Sequence, residues 1–193
     1  MELGGYEVVR LKPEIPRFAE LVQGAKQICD SFLGKGLYSE RQIDEICRRE
    51  NCYFFTVLEG DKIEGIFYCY ADDAGSIPFA EGIEGLTADT RIGVAQSVAL
   101  KSEARRKGLS AAMLDHATGI LFREEKVKLI LALAWVQGEK IPARKHLERC
   151  GYHFLTIRKH PWASCEELIC PACGQRPCAC DGAVYVKERN DDE

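Results

Sequence analysis

The chain has 193 residues, 46% hydrophobic and 29% charged, a globular composition that excludes a mostly disordered polymer. Lys plus Arg total 26 and Asp plus Glu 30, and the net charge of -4 disfavours a generic nucleic-acid binder. The outlying count is 10 cysteines, five of which fall between Cys165 and Cys180. The start, Met1-Glu2-Leu3-Gly4-Gly5, lacks a basic segment followed by an apolar run, and the longest apolar run, Leu129 to Val136, is too short to cross a bilayer. The expected location is cytoplasmic, with no membrane. Clustered cysteines there point to a metal or to reactive thiols instead of disulfides.

In chain order, Tyr6 to Leu11 predicts a strand, and Pro13 and Pro16 then break the pattern. Phe18, Leu21, Val22, Ala25 and Ile28 recur at helical spacing, predicting a helix from Arg17 to Phe32 that Gly34 and Gly36 end. Ser39 followed by Gln42 is a capping-box pair, opening a second helix through Ile43, Ile46 and Cys47. Tyr53–Leu58 and Ile63–Tyr70 flank Glu59-Gly60-Asp61 and predict a hairpin. Residues 72–89, with Gly75, Gly82 and Gly85, read as irregular. Ile92 to Leu100 predicts a strand, and Gly108 to Arg123 a helix with Leu109, Ala112, Met113, Ala117, Ile120 and Leu121 on one face. Val127 to Trp135 predicts a strand buried on both faces. Pro142 starts another helix that ends near Gly151, and Tyr152–Lys159 and Ala183–Lys187 supply two last strands. The order describes one mixed α/β sheet of about seven strands, a size that fits a single domain over residues 1–193. A cysteine-rich insert occupies about residues 162–182.

The segment Lys101-Ser102-Glu103-Ala104-Arg105-Arg106-Lys107-Gly108-Leu109-Ser110 joins a strand to a helix. Cations at a helix start oppose the positive end of its dipole. Either an anion occupies the site, cradled by free amides with Gly108 allowing close approach, or the segment is a solvated basic turn.

At these residues the chain resembles the GNAT superfamily of acyl-CoA-dependent N-acyltransferases. The family's pyrophosphate loop reads Gln/Arg-x-x-Gly-x-Gly/Ala. Arg105 and Gly108 match it, and Ser110 stands at the last small position. The family often has Pro three residues before that Arg, where this chain has Ser102. The segment from Ala143 to Tyr152 resembles the family's following helix, with Gly151-Tyr152 in place of Gly-Phe. The element order agrees along nearly the whole chain. The resemblance implies a GNAT-like, mostly antiparallel α+β sheet flanked by helices, with acetyl-CoA as cosubstrate. It implies that Val98, Ala99 and Leu100 contact the pantetheine arm, that Arg105 to Ser110 (Arg105, Arg106, Lys107, Gly108, Leu109, Ser110) hold the pyrophosphate, and that an amine attacks the thioester directly.

The family often carries a Tyr four residues before the Gly-Phe pair to protonate the leaving thiolate, and an Asn seven residues before that Tyr. Here those positions hold Leu147 and Lys140. His146 is adjacent and reads as an exposed helix residue, about 100° round from Leu147. His116 reads as a packed residue, and His153 and His160 as structural. For the base, the resemblance points to Glu81 and Glu84 in the loop before the fourth strand; otherwise both are solvated loop charges.

Cys170-Pro171-Ala172-Cys173-Gly174 has the form of a zinc knuckle, and Cys178-Ala179-Cys180 adds two more thiols. Cys170, Cys173, Cys178 and Cys180 are the expected zinc ligands, with Cys165 as a spare that can replace one. Free or redox-active thiols are the rival reading, and iron–sulfur ligation a lesser one. The insert either shapes the acceptor pocket or only staples a long hairpin. Cys29, Cys47, Cys52, Cys69 and Cys150 read as core residues. The expected activity is acetyl transfer from acetyl-CoA to a primary amine, on a small molecule or a protein, with no nucleic acid involved and a homodimer allowed. The rival is a non-catalytic acyl-CoA-binding module whose knuckle meets a partner protein.

Overall fold

The computed structural model describes residues 2–105 and 107–189. Strands β1 (Glu2–Leu3) and β2 (Tyr6–Arg10) precede helices α1 (Phe18–Phe32) and α2 (Glu40–Arg48). Strands β3 (Cys52–Glu59), β4 (Lys62–Asp73) and β5 (Arg91–Leu100) follow. Then come helix α3 (Leu109–Arg123), β6 (Leu129–Trp135), the short α4 (Arg144–Arg149), β7 (His153–Arg158) and β8 (Gly182–Glu188). The strands form one 8-stranded sheet in the order β1-β2-β3-β4-β5-β6-β8-β7. Neighbours pair antiparallel except β5 with β6, which run parallel. The sheet therefore has one strand more than the sequence predicts. That strand, β1, is two residues long and shows no periodicity. Its signal was the Gly4-Gly5 turn, both glycines at positive φ, which suits a two-residue hairpin.

Side-chain alternation builds a core on each face of the sheet. Tyr53, Phe55 and Val57 of β3 point toward α3, joining Leu109, Met113, Ala117 and Leu121. Cys52 and Phe54 point the other way, toward Leu21, Val22, Ala25 and Ile28 of α1 and Ile43 of α2. Residues 52–57 are consequently all buried, because helices cover both faces. Two irregular segments complete the α1/α2 face. Ile77 and Phe79 of the 74–86 loop cover Leu131 and Val184, and the cysteine-rich segment covers Leu133 and Trp135.

Cys29, Cys47, Cys52 and Cys69 are buried and Cys150 is half-buried, as their apolar surroundings predict. The Ser39 cap also forms as read. Its hydroxyl accepts from the Gln42 amide at 3.2 Å, and the Gln42 side chain accepts from the Ser39 amide at 2.8 Å. Ser39→Ala should cost about 1 kcal/mol of stability, measured as a lower urea midpoint with unchanged slope.

Candidate functional site

The site begins where the sheet opens. Strands β5 and β6 pair only at Gly93↔Ile130, Val94↔Leu131 and Ala95↔Ala132. On its other side β5 pairs with β4 through Leu100, but the register slips between Tyr68↔Ser97 and Cys69↔Ala95. Gln96 is thus the extra residue of a β-bulge, a feature that bends its strand. Beyond Ala95 the two parallel strands part, and a cavity of about 170 Å³ opens between them. Ala95, Gln96, Ser97 and Val98 line one side, and Leu133, Ala134 and Trp135 the other.

Of the residues expected to meet a pantetheine arm, Val98 lines this cavity and is 37% exposed, while Ala99 and Leu100 are buried in the two cores. The cleft wall on this strand runs from Ala95 to Val98, so it includes Val98 and extends three residues before it.

The basic loop follows β5. Gly108 caps α3 with φ 77, a left-handed conformation that favours glycine, and no side chain caps the helix. The amide of Ala112 is the first to bond back, to Gly108 at 3.0 Å. Among the described residues no carbonyl accepts from the Leu109 or Ser110 amide, which stand at the dipole's positive end. Arg105 folds back so that its Nε donates to the Leu100 carbonyl at 2.8 Å, and its guanidinium lies 5.2 Å from the Phe32 ring. Lys107 donates to the Tyr6 hydroxyl, and Lys101 pairs with the buried Glu64 at 3.1 Å. Arg106 lies outside the described residues.

His146 departs from expectation. It is half-buried, and it lines the cavity together with Ala143 and Leu147. These three residues are spaced i, i+3, i+4 and share one helical stripe about 100° wide, so being next to Leu147 does not turn His146 away. Its Nε2 is buried with no hydrogen-bond partner, as is Nε1 of Trp135 across the cavity. Burial, with Arg149 nearby, holds the imidazole below its ordinary pKa of 6.5 and so favours the neutral ring. Tyr38 stands behind the opposite wall, its hydroxyl 2.8 Å from Ser97 Oγ, and burial raises its pKa.

Glu81 and Glu84 are exposed, in the loop where they were read, and neither lines the cavity. The Glu81 backbone carbonyl accepts from Arg158, which ties this loop to β7. Of the other histidines, His116 packs edge-on against Phe55 at 5.7 Å, and His160 lies 3.9 Å from Asp181.

The cysteine-rich segment joins β7 to β8. The sulfurs of Cys170, Cys173, Cys178 and Cys180 all lie within 4.8 Å of one another. Cys170 and Cys180 are 3.8 Å apart, and Cys173 and Cys178 4.0 Å. Zinc–sulfur bonds of about 2.3 Å in a tetrahedron put sulfurs about 3.8 Å apart, so this set fits a zinc ion. Gly174, at φ 65, bonds back to the Cys170 carbonyl at 2.9 Å and closes the knuckle turn. Backbone amides of Ala179 and Gln175 at the Cys173 sulfur draw its pKa down to about 6, while burial pushes Cys178 up to about 11. Cys165 is not in the group; it packs beside Trp162 and Leu168.

The sequence profile of the acetyltransferase (GNAT) family matches residues 19–152. No curated protein sequence gives a significant match. Among solved structures, Arabidopsis thaliana NAA60 in complex with acetyl-CoA superposes with a TM-score of 0.72 at 9% identity, over 95% of this chain and 98% of that one. The ribosomal-protein-S5-alanine acetyltransferase of Vibrio fischeri gives 0.65 at 14% identity, over 100% and 98%. The ribosomal-protein-S18-alanine N-acetyltransferase of Escherichia coli gives 0.60 at 14% identity, over 97% and 98%. An open cleft between two parting parallel strands, beside an uncapped helix start in a basic loop, is the frame of an acyltransferase. With the profile covering more than half its length, the chain belongs to the GNAT acetyltransferase family.

Burial depresses the pKa of His116 as well as His146. A group whose pKa is lower folded than unfolded stabilises the fold above its unfolded value, and that contribution fades as pH falls. In an NMR titration the ring signals of both histidines should therefore show midpoints below 6.5, and stability should decline as pH drops through that range. A midpoint at or above 6.5 for His146 would mean that its ring is solvated.

Proposed function

We propose that this protein is an N-acetyltransferase that moves the acetyl group of acetyl-CoA to a primary amine by direct attack, and that its four-cysteine cluster holds a structural zinc ion. The observation that carries the first part is the parallel pairing of β5 and β6, which stops at Ala95↔Ala132 and leaves a cleft beside the α3 start. Past Ala95 the β5 backbone has no β6 partner, so its polar groups suit an extended, amide-bearing arm. The amides of Leu109 and Ser110, at the positive end of the helix, suit a pyrophosphate, with Arg105, Arg106 and Lys107 adding positive charge around it.

Acetyl-CoA supplies the acetyl group as a thioester, and the acceptor nitrogen forms its C–N bond as the C–S bond breaks. The chain's own contribution is alignment of the two reactants and removal of a proton from the amine. His146 is the titratable side chain in the cleft wall, and its neutral ring suits proton transfer there. Glu81 and Glu84, the carboxylates to which the resemblance points, stand in solvent outside the cleft lining. Leu147, apolar and buried, cannot donate a proton to the thiolate. The zinc ion takes no part in the reaction; Cys170, Cys173, Cys178 and Cys180 would hold it, and its charge offsets the cost of burying thiolates.

Calorimetry should detect acetyl-CoA binding, weakened about tenfold or more when Arg105 and Arg106 are both changed to Ala, as expected for lost charge-assisted contacts. Thiol release from acetyl-CoA across a panel of amines then tests catalysis. Binding without any amine-dependent release would leave an acyl-CoA-binding module.

Elemental analysis of the purified protein should find about one zinc per chain. A fully folded, metal-free protein would defeat the zinc assignment.

A further inference from the structure

The cysteine-rich segment reaches the cleft. Its Trp162 is buried and stacks on Trp135, the last residue of β6, with ring centroids 4.9 Å apart. Both rings line the same cavity as the parted strands. Trp162 shares a core with Leu168 and with Cys170, Cys178 and Cys180, so the thiol cluster and this part of the cleft wall are one packed unit.

The same unit is seated on the loop after α1. Ile169 bonds to the Lys35 carbonyl at 2.8 Å. On either side of Lys35 the approach leaves no room for a side chain. A Cβ on Gly36 would lie 2.1 Å from the Glu167 carbonyl oxygen, and one on Gly34 would lie 2.6 Å from Leu168 Cδ1. Both glycines also have positive φ. That loop carries Leu33 and Leu37 into the cavity wall. The α1 loop, the end of β6 and the insert therefore meet at one end of the cleft, and the surface they give it is apolar and aromatic.

We propose that metal loading of the four cysteines holds Trp162 in the cleft wall and so makes acceptor binding metal-dependent, selecting amines that carry an apolar group. This rests on the acetyltransferase reading for the word acceptor; the coupling itself rests on the packing of Trp162. Without the metal the insert keeps its apolar cluster and its backbone bond to Lys35 but loses the link between its four thiols, and the wall loosens. The amides at the α3 start lie outside this unit, so the pyrophosphate contacts should survive loss of the metal.

The chain has 2 tryptophans, and both are in this contact, so selectively excited tryptophan emission reports on it. Zinc-loaded protein should emit as buried tryptophan, and chelation should shift the emission to the red. In the presence of CoA, phenethylamine should quench the emission saturably, with affinity at least tenfold weaker after chelation, and ethanolamine should bind poorly in both states. Trp162→Ala, followed through the remaining Trp135, should mimic chelation, and Trp162→Phe should restore much of the binding. Cys170→Ser with Cys173→Ser should act as chelation does, without a chelator present.

Unchanged emission on chelation, or equal amine affinity with and without zinc, would overturn the proposal. So would equal binding of phenethylamine and ethanolamine by the loaded protein. If metal-dependent binding of phenethylamine persists but no amine releases thiol from acetyl-CoA, the coupling stands and the acetyltransferase reading is what fails.

Discussion

The structure depends on one interruption in its hydrogen bonding. Strand β5 is held to β4 along its whole length but to β6 for only three residue pairs. Gln96, the extra residue in β5, bends the strand just where the pairing with β6 stops. A continuous ladder would have filled the space with backbone. The interruption instead leaves unpaired polar groups facing a gap, and the helix that follows presents its own unpaired amides beside it. Both sets of groups are thus left for partners from outside the sheet and helix ladders.

The two faces of the sheet carry different burdens. The α3 face is a continuous core in which a side chain from nearly every strand meets one helix. The opposite face is assembled from α1, α2, the 74–86 loop and the insert. Irregular segments pack less area per residue than helices do, so an insert of this length needs something further to fix it. Four thiols at tetrahedral spacing meet that need in the same place where the insert's aromatic ring enters the cleft. Cys29, Cys47, Cys52, Cys69 and Cys150 sit in apolar surroundings, Cys165 packs beside Trp162, and the other four lie at metal-ligand spacing.

Much of the fold could be read because its signals are local. The Ser39 capping box, the helical stripe of α3 and the apolar run of β6 each depend on residues a few positions apart. The basic loop before Gly108 could be read for the same reason: cations at a helix start conflict with its dipole unless an anion is present. The four metal-ligand candidates were visible as spacing, since two close pairs of thiols in a short segment have few other ways to pack. The two-residue β1 was too short for any pattern, although its Gly-Gly turn marked the hairpin.

The tertiary structure decided what depends on distant contacts. Which β5 side chains face the cleft follows from a bulge set by register with β4, and they run from Ala95 to Val98. Whether His146 faces solvent depends on what packs against α4, and the answer is a cavity bounded by strands from elsewhere in the chain. Glu81 and Glu84, to which the resemblance points for the base, are exposed. The sequence by itself determined the elements, the basic loop and the thiol set, because those are written in short-range spacing. Only the folded chain brought Trp162 to Trp135, because that contact requires the insert, the α1 loop and the end of β6 to meet in space.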